Sequence, residues 1–194
     1  MKKIIIATTN QGKLREIKKI LTDLPFDLLS LADLENVPEV IEDKDTFLGN
    51  AEKKATEIYH TFQLPVIADD SGLAVDQLNG SPGVYSARYA GENSSDPENN
   101  KKLISELKGL PSPHPARFIS VAVYFNGNKY ISASGELAGE IILNPRGHNG
   151  FGYDPLFIPV GYSLTLAELS FEEKNSISHR AKAFNKLKEK LIGG

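Results

Sequence analysis

Hydrophobic residues in the first part of the chain switch between strand-like runs and helix-like spacing. Residues 3–7 consist of Lys3 and a short apolar run, Ile4 to Ala7, that is rich in β-branched side chains and predicts a buried strand. A polar turn follows, and then Leu14, Ile17 and Leu21 recur on one face of a predicted helix. Residues 26–31 predict a second strand. The order strand, helix, strand is typical of a sheet flanked by helices.

The middle of the chain continues this alternation. A longer helix is predicted after Thr46, a plausible N-cap, because apolar residues recur at helical spacing from Phe47 to Phe62. A short strand is predicted at residues 65–68, and a further helix runs from Asp96-Pro97 to a stop at Gly109.

The last third is richer in strands. Strands are predicted at residues 118–125, 129–135 and 139–143, with Asn126-Gly127 as the hairpin turn. A short helix at Thr165 and a final helix from about Ser176 complete the prediction. We therefore expect an α/β fold with one mixed sheet and flanking helices.

Composition narrows the class of protein. The 194 residues predict one domain, 1–194, with no linker that would separate two independent domains. A net charge of −3 gives no basic surplus, so we expect no nucleic acid polymer as partner. Cys is absent, which excludes disulfides, thiolate catalysis and Cys-ligated zinc.

No segment of the sequence predicts targeting or membrane insertion. The apolar run that begins at Ile4 ends before Thr8, too short for a signal-peptide core of roughly 7–15 residues. No apolar run approaches the ~20 residues needed to span a bilayer. We expect a cytoplasmic protein with no membrane partner.

The first candidate site is the polar turn after the first strand. A strand that feeds a helix exposes free backbone N–H groups to anions, and a lysine adds charge beside them. The turn is not a Walker A loop, and a capped helix with a solvated lysine is the alternative interpretation. The candidate phosphate-binding residues are Thr8, Thr9, Asn10, Gln11, Gly12 and Lys13.

The second candidate is a pair of carboxylates, Asp69 and Asp70, at the predicted end of a strand. Ligands of α/β sheets sit beyond the carboxyl ends of strands, whereas Asp-Ser-Gly is also a common turn. In an extended backbone the two side chains point to opposite faces. Glu42, in an acidic stretch, is a third candidate, and an all-oxygen set suits Mg²⁺ rather than zinc.

Two further motifs lie near the carboxyl end. In residues 149–155 two glycines flank Phe151, which permits close approach to a flat ligand and presents the ring for stacking; a loop with its aromatic residues in the core is the alternative. Ser178-His179-Arg180, with Lys174 shortly before, places cations in a first helical turn, where an anionic or carbonyl-bearing partner would explain them.

Taken together, these segments resemble the inosine/xanthosine triphosphate pyrophosphatase family. The match runs from the first strand to the last helix, and residues 69–88 form its most specific motif. The matching stretches are Thr8–Glu16, Thr46-Phe47, Asn50–Ala55, Ala68–Asp76, Asn79–Arg88, Gly150–Pro155 and Ser178–Arg180.

The resemblance implies a fold, a reaction and a set of site residues. It implies an elongated mixed sheet in two lobes around a cleft, usually a homodimer, and a Mg²⁺-dependent enzyme that converts the purine nucleoside triphosphates XTP, ITP or dITP to the monophosphate and pyrophosphate. Asp70 would be the general base and, with Glu42, would hold the metal, and Ser71 would contact the substrate. Phosphate contacts would come from Thr8 to Lys13 and, as we predict, Lys54. The base pocket would comprise Phe151, Gly152, Tyr153, Asp154, Lys174, His179 and Arg180.

The chain departs from the family pattern before Thr46, where it carries Glu42-Asp43-Lys44-Asp45. Asp43 is therefore an alternative ligand to Glu42. Two other functions stay open on the sequence: a related pyrophosphatase for pyrimidine triphosphates, and a nucleotide-binding module without catalysis.

Overall fold

Six strands and five α-helices are formed by residues 2–193, the part of the chain that the computed structural model describes. The strands are β1 (Lys2–Ala7), β2 (Phe26–Ser30), β3 (Val66–Val75), β4 (Pro115–Phe125), β5 (Tyr130–Ile141) and β6 (Phe157–Pro159). The helices are α1 (Gln11–Ile20), α2 (Phe47–Phe62), α3 (Asp96–Leu107), α4 (Phe171–Ile177) and α5 (His179–Ile192).

The strands form one mixed sheet in the order β2-β1-β3-β4-β5-β6. β1 pairs with β2 and with β3 in parallel, and β5 pairs with β6 antiparallel. The predicted α/β fold with a mixed sheet and flanking helices is confirmed. None of the helices described in residues 2–193 has the length and apolar character of a bilayer-spanning helix.

The chain divides into two compact units, each built from several segments. Unit 1 comprises Met1–Asp70, Ser120–Gly135 and His179–Gly194; unit 2 comprises Ser71–Ile119 and Glu136–Ser178. That residues 1–194 act as one domain of two lobes stays a prediction.

Unit 1 buries apolar side chains on both faces of its strands. Because side chains alternate along a strand, Ile4 and Ile6 pack with α1 and α5, whereas Ile5 and Ala7 pack with α2. A parallel strand covered on both faces reads as a continuous apolar run, which is why β1 could be predicted.

Unit 2 has a core of its own. Leu103 and Leu107 of α3 pack against Phe118 of β4 and Phe157 of β6, with Tyr153 from the intervening loop. The Ser95 capping box and Pro97 start α3 at the predicted place.

The predicted boundaries of β3 and β5 are wrong. β3 does not end at Ala68 but continues to Val75, because Leu73 to Val75 are buried and extend the strand. The two predicted strands on either side of residue 137 are one strand, β5.

The carboxyl-terminal region differs as well. Thr165 begins a turn rather than a helix, although the carboxylate of Glu168 accepts a hydrogen bond from its backbone N–H at 2.7 Å. The predicted final helix is two helices, because Ser178 is extended (φ −62°, ψ 153°) and separates α4 from α5.

Candidate active site

The polar turn between β1 and α1 has the predicted strand–turn–helix geometry. Asn10 is the N-cap of α1, and its Oδ1 accepts a hydrogen bond from the backbone N–H of Lys13 at 2.9 Å. Thr8 is buried, whereas Thr9 to Gln11 are exposed. The remaining N–H groups of this first turn are placed as an anion site requires.

Asp69 lies in the middle of β3 and is buried. Its Oδ2 is 3.2 Å from Nζ of Lys13 and 3.4 Å from Nε of Arg180. Burial alone would raise the pKa of this carboxyl, but Lys13 and Arg180 hold it well below its usual range. Asp69 is therefore a permanent anion, whose Oδ1 has no hydrogen-bond partner among the described residues.

Asp70, the next residue, points to the opposite face of the strand. Its Oδ2 accepts a hydrogen bond from Nδ2 of Asn50 in α2 at 3.0 Å. Burial raises the pKa of Asp70 to about 6, with Lys13 acting against the rise and the charge of Glu42 adding to it. A carboxyl with this pKa is ionised at neutral pH and basic enough to accept a proton.

Asn50 connects this carboxylate to the loop that carries Glu42. The side chain is fully buried, and its Oδ1 accepts a hydrogen bond from the backbone N–H of Lys44 at 2.8 Å. One carboxamide thus holds both Asp70 and the loop of residues 42–45.

Lys54, also in α2, joins the same group of charges. Its Nζ forms an ion pair with Glu42 and donates a hydrogen bond to the backbone carbonyl of Asp69 at 2.9 Å. Burial opposes its charge, but Glu42 and Asp69 raise the pKa of Lys54 above its ordinary value. Asp43, the alternative ligand, pairs with Lys53 at 2.8 Å instead and is about half exposed.

Arg180 is fully enclosed in unit 1. Its guanidinium pairs with Asp69 and with Glu16 of α1. Burial opposes the charge, yet the two carboxylates raise the pKa of Arg180 further. The neighbouring His179 is buried as the first residue of α5. The prediction that His179 and Arg180 line a base pocket stays a prediction.

The Gly-Phe-Gly loop lies in unit 2. The backbone N–H of Phe151 donates to Oδ2 of Asp154 at 2.9 Å, and the same oxygen accepts from Nζ of the buried Lys174. That ammonium also lies 4.5 Å from the centroid of the Phe151 ring. Asp154, Lys174 and the ring therefore form one connected group.

Tyr153 and Ser71, two other predicted substrate contacts, also lie in unit 2. The Tyr153 ring packs in the core of the unit, and its hydroxyl donates to the backbone carbonyl of Ser86 at 2.8 Å. Ser71 is half-buried in β3, and Gly152 has a positive φ of 63°.

Two residues of the site in unit 1 received no role from the sequence. Glu16 lies one turn after Lys13 on the same face of α1, and Asn50 lies in a stretch that matches the family. Helical spacing from Lys13 would have found Glu16, whereas the partners of Asn50 come from β3 and a distant loop.

Within residues 2–193 no three or more His, Asp or Glu side chains are grouped so as to hold a metal by themselves. Glu42 lies close enough to Asp70 for its negative charge to raise the pKa of that carboxyl. Two carboxylates, flanked by lysines and a helix start, can bind a polyphosphate together with a cation that takes its other ligands from phosphate and water.

Comparison with known proteins gives concordant results. The Ham1 family pattern matches residues 4–190. A dITP/XTP pyrophosphatase of Geobacter sulfurreducens is 52% identical over 193 residues, covering 98% of this chain and 97% of the relative. A HAM1 protein from Coxiella burnetii superimposes with a TM-score of 0.91 at 38% identity over 100% of both chains, and the Staphylococcus aureus Ham1 protein with 0.88 at 41% over 99% of both.

Proposed function

The chain belongs to the Ham1 family, and on this basis we propose that it hydrolyses the triphosphates of deaminated purine nucleosides, XTP, ITP and dITP. The products are the nucleoside monophosphate and pyrophosphate. The observation that carries the proposal is the 52% identity, over nearly the whole of both chains, to a dITP/XTP pyrophosphatase. The buried charges of unit 1 supply a mechanism.

In the proposed reaction a water oxygen attacks the α-phosphorus. The new P–O bond forms as the bond from the α-phosphorus to the oxygen bridging it to the β-phosphate breaks, and the electron pair leaves with pyrophosphate. Asp70 orients the water and takes its proton. Burial, the main cause of its raised pKa, makes Asp70 a stronger base than an exposed carboxylate.

The triphosphate itself is held by cations and backbone N–H groups of unit 1. Lys13 and Lys54 neutralise phosphate oxygens, and the turn from Thr8 to Gly12 donates hydrogen bonds to them. Both lysines pair with carboxylates in the structure, Lys13 with Asp69 and Lys54 with Glu42. These carboxylates position the lysines for the phosphates.

We propose Mg²⁺ as the cofactor, held by Glu42 and Asp70. The mutual repulsion of these two carboxylates, which contributes to the raised pKa of Asp70, is what a bound cation relieves. Mg²⁺ commonly takes only one or two carboxylates and completes its shell with water and substrate phosphate. When bound it neutralises the charge that develops on the phosphate oxygens.

We assign recognition of the base to Asp154 and Lys174 of unit 2. Inosine and xanthosine present a 6-keto acceptor and an N1–H donor, whereas adenine presents an amino donor and a bare N1 acceptor. Lys174 would donate to the keto oxygen and Asp154 accept from N1–H. Each buried group left unpaired by adenine costs roughly 1–3 kcal/mol, more if charged.

The test is a nucleotide panel with product identification. XTP, ITP, dITP, GTP, ATP and pyrimidine triphosphates are incubated with the protein in Mg²⁺ and in EDTA, and pyrophosphate is measured separately from orthophosphate. We expect pyrophosphate from XTP, ITP and dITP, little from ATP, and a loss of activity in EDTA. Faster release from pyrimidine triphosphates, or nucleotide binding without any product, would replace the proposal by one of its two alternatives.

We also propose that the protein acts as a cytoplasmic homodimer. The support is the family to which it belongs, and the absence of cysteine fits a reducing compartment. Light scattering on the purified protein should give twice the chain mass of 21.2 kDa, and a monomer mass at micromolar concentration would contradict the dimer.

A further inference from the structure

The Gly-Phe-Gly loop of unit 2 needs external support. Gly150 and Gly152, on either side of Phe151, both have positive φ, 76° and 63°. Glycine adopts this geometry readily, but its freedom makes such a loop costly to order. A stacking ring held only by two glycines would sample many directions.

Helix α3 supplies support at the second glycine. The backbone N–H of Gly152 donates to Oδ2 of Asp96 at 2.6 Å, and its carbonyl accepts from Nδ2 of Asn100 at 3.0 Å. Residues 96 and 100 are four apart and so lie on one face of the helix. Both polar groups of one glycine are thereby tied to one rigid element.

The other side of Phe151 is fixed by groups already assigned to the base pocket. Asp154 accepts from the backbone N–H of Phe151, and Lys174 lies against the ring. Gly150 is also closed in, because a Cβ there would lie 2.0 Å from Oδ2 of Asp154. The backbone of Gly152, by contrast, is held by α3.

We propose that Asp96 and Asn100 are positioning residues that hold Gly152 and thereby fix the Phe151 ring as the platform for the purine base. The inference rests on the proposed function and on the sequence-based expectation that Phe151 contacts the base. It predicts that substituting these two residues weakens binding of the purine base and does not change the affinity of unit 1 for the triphosphate.

The experiment compares Asn100→Ala with the wild-type protein, using IMP formation from ITP in Mg²⁺. Alanine keeps the helix, because it is the best helix former. Loss of one hydrogen bond should raise the KM for ITP roughly 3- to 10-fold, with kcat falling less than the KM rises. The inhibition constant of inorganic tripolyphosphate, which has no base, should stay at the wild-type value.

Two further variants make the result specific. Lys101→Ala changes an exposed neighbour on the same helix and serves as the matched control. The double variant Asn100→Ala/Phe151→Ala should have the same KM as Phe151→Ala alone, because a residue that acts through the ring has no effect once the ring is gone.

Asp96→Ala, which removes the acceptor of the Gly152 N–H, tests the second hydrogen bond in the same assay and should raise the KM in the same direction. The inference is overturned if Asn100→Ala leaves the KM for ITP unchanged, or if it raises the inhibition constant of tripolyphosphate by the same factor as the KM. It is also overturned if the double variant has a higher KM than Phe151→Ala by the full factor seen for Asn100→Ala alone. A Phe151→Ala variant with an unchanged KM would overturn the inference as well, whereas a wild-type protein that releases no pyrophosphate would refute the proposed function itself.

Discussion

At the scale of single residues, two adjacent carboxylates in β3 have opposite properties. Burial acts on both, but Lys13 and Arg180 lower the pKa of Asp69, whereas Asp70 has the charge of Glu42 nearby and its pKa rises to about 6. The alternation of side chains along a strand produces this difference, since it sends neighbours to opposite faces. The ionised form of Asp69 is stabilised in the folded protein. The ionised form of Asp70 is destabilised there, and its proposed role as a general base explains why such a residue is present.

Asp70→Asn should abolish the proposed activity. An amide cannot accept a proton from water, and a positioned base typically contributes ~10²–10⁴-fold to the rate. We expect a loss of at least this size in kcat for ITP, measured by pyrophosphate release in Mg²⁺. Asp27→Asn, at an exposed position of β2, is the control and should keep full activity. Near-normal turnover by Asp70→Asn would remove Asp70 as the base.

The same variant should make the metal-free protein more stable at high pH. Because the folded-state pKa of Asp70 is raised from 3.8 to about 6, its neutral form favours folding below pH 4, and this contribution is lost as the pH rises through 6. In EDTA at pH 8, Asp70→Asn should increase the free energy of unfolding by up to about 3 kcal/mol.

The stability difference should shrink toward pH 4, where wild-type Asp70 is itself neutral. Urea unfolding at pH 4, 6 and 8 measures it. A variant that is less stable than wild type at pH 8 would show that the ionised carboxylate is not a burden in the folded state.

Glu16 is expected to be essential for stability. Glu16 and Asp69 balance the charges of Lys13 and Arg180, so Glu16→Gln leaves a buried cluster with one excess positive charge. Removing one partner of a buried ion pair costs about 3–5 kcal/mol. Thermal or urea unfolding should show a loss of about 3 kcal/mol.

The control for Glu16→Gln is Asp23→Asn, which removes an exposed ion pair with Lys188 in the same unit. Exposed pairs contribute about 1 kcal/mol or less, so this variant should be near wild type. Equal effects of the two substitutions would show that the buried pair adds nothing beyond a surface pair.

At the scale of elements, α5 packs on β5 at a glycine. A Cβ on Gly135 would lie 2.3 Å from the backbone carbonyl oxygen of His179 and 2.5 Å from the backbone nitrogen of Ala183. Both atoms belong to the helix backbone, which cannot move without displacing the helix. Gly135 therefore sets the closest approach of α5 to the strand.

Gly135→Ala should destabilise the protein by several kcal/mol, beyond the usual cost of overpacking, which is about 1–3 kcal/mol. Circular dichroism during thermal unfolding measures the change. Ser134→Ala, at an exposed neighbour on the same strand, should leave the melting temperature within a few degrees of wild type. An unchanged melting temperature for Gly135→Ala would contradict the close approach.

Elements with a strong local signal could be predicted from the sequence. β1 has a continuous apolar run, and α2 and α3 have N-caps at Thr46 and Ser95 that hold their first turns. The length of β3 could not be predicted, because Asp-Ser-Gly is a turn sequence unless distant partners satisfy the carboxylates. Those partners, Asn50 and Arg180, come from helices far along the chain.

At the scale of the whole molecule, the near balance of charges predicts the class of ligand. A net charge of −3 offers no general attraction for a polyanion, and the cations of the site are paired with carboxylates of the same site. We expect no binding of single- or double-stranded DNA at 0.15 M salt by fluorescence polarisation, under conditions where ITP protects the protein against heat. Salt-dependent DNA binding in the same concentration range would contradict this.

The family could be predicted from motifs, since these keep their order and spacing, whereas the roles of the site residues stay predictions. What the motifs could not predict is which side chains serve the others. Arg180 appears in a motif beside His179, yet its guanidinium lies against Glu16 and Asp69. Such partners are set by which residues lie close together in the folded chain, and a motif gives no information about that.

The discontinuous make-up of unit 1 bears on how the protein is made. Its last segment begins at His179, so it is translated after both segments of unit 2. Until Arg180 emerges, Glu16 and Asp69 lack the cation that they share. A nascent chain therefore cannot complete the charge balance around α1 before all of unit 2 has been translated.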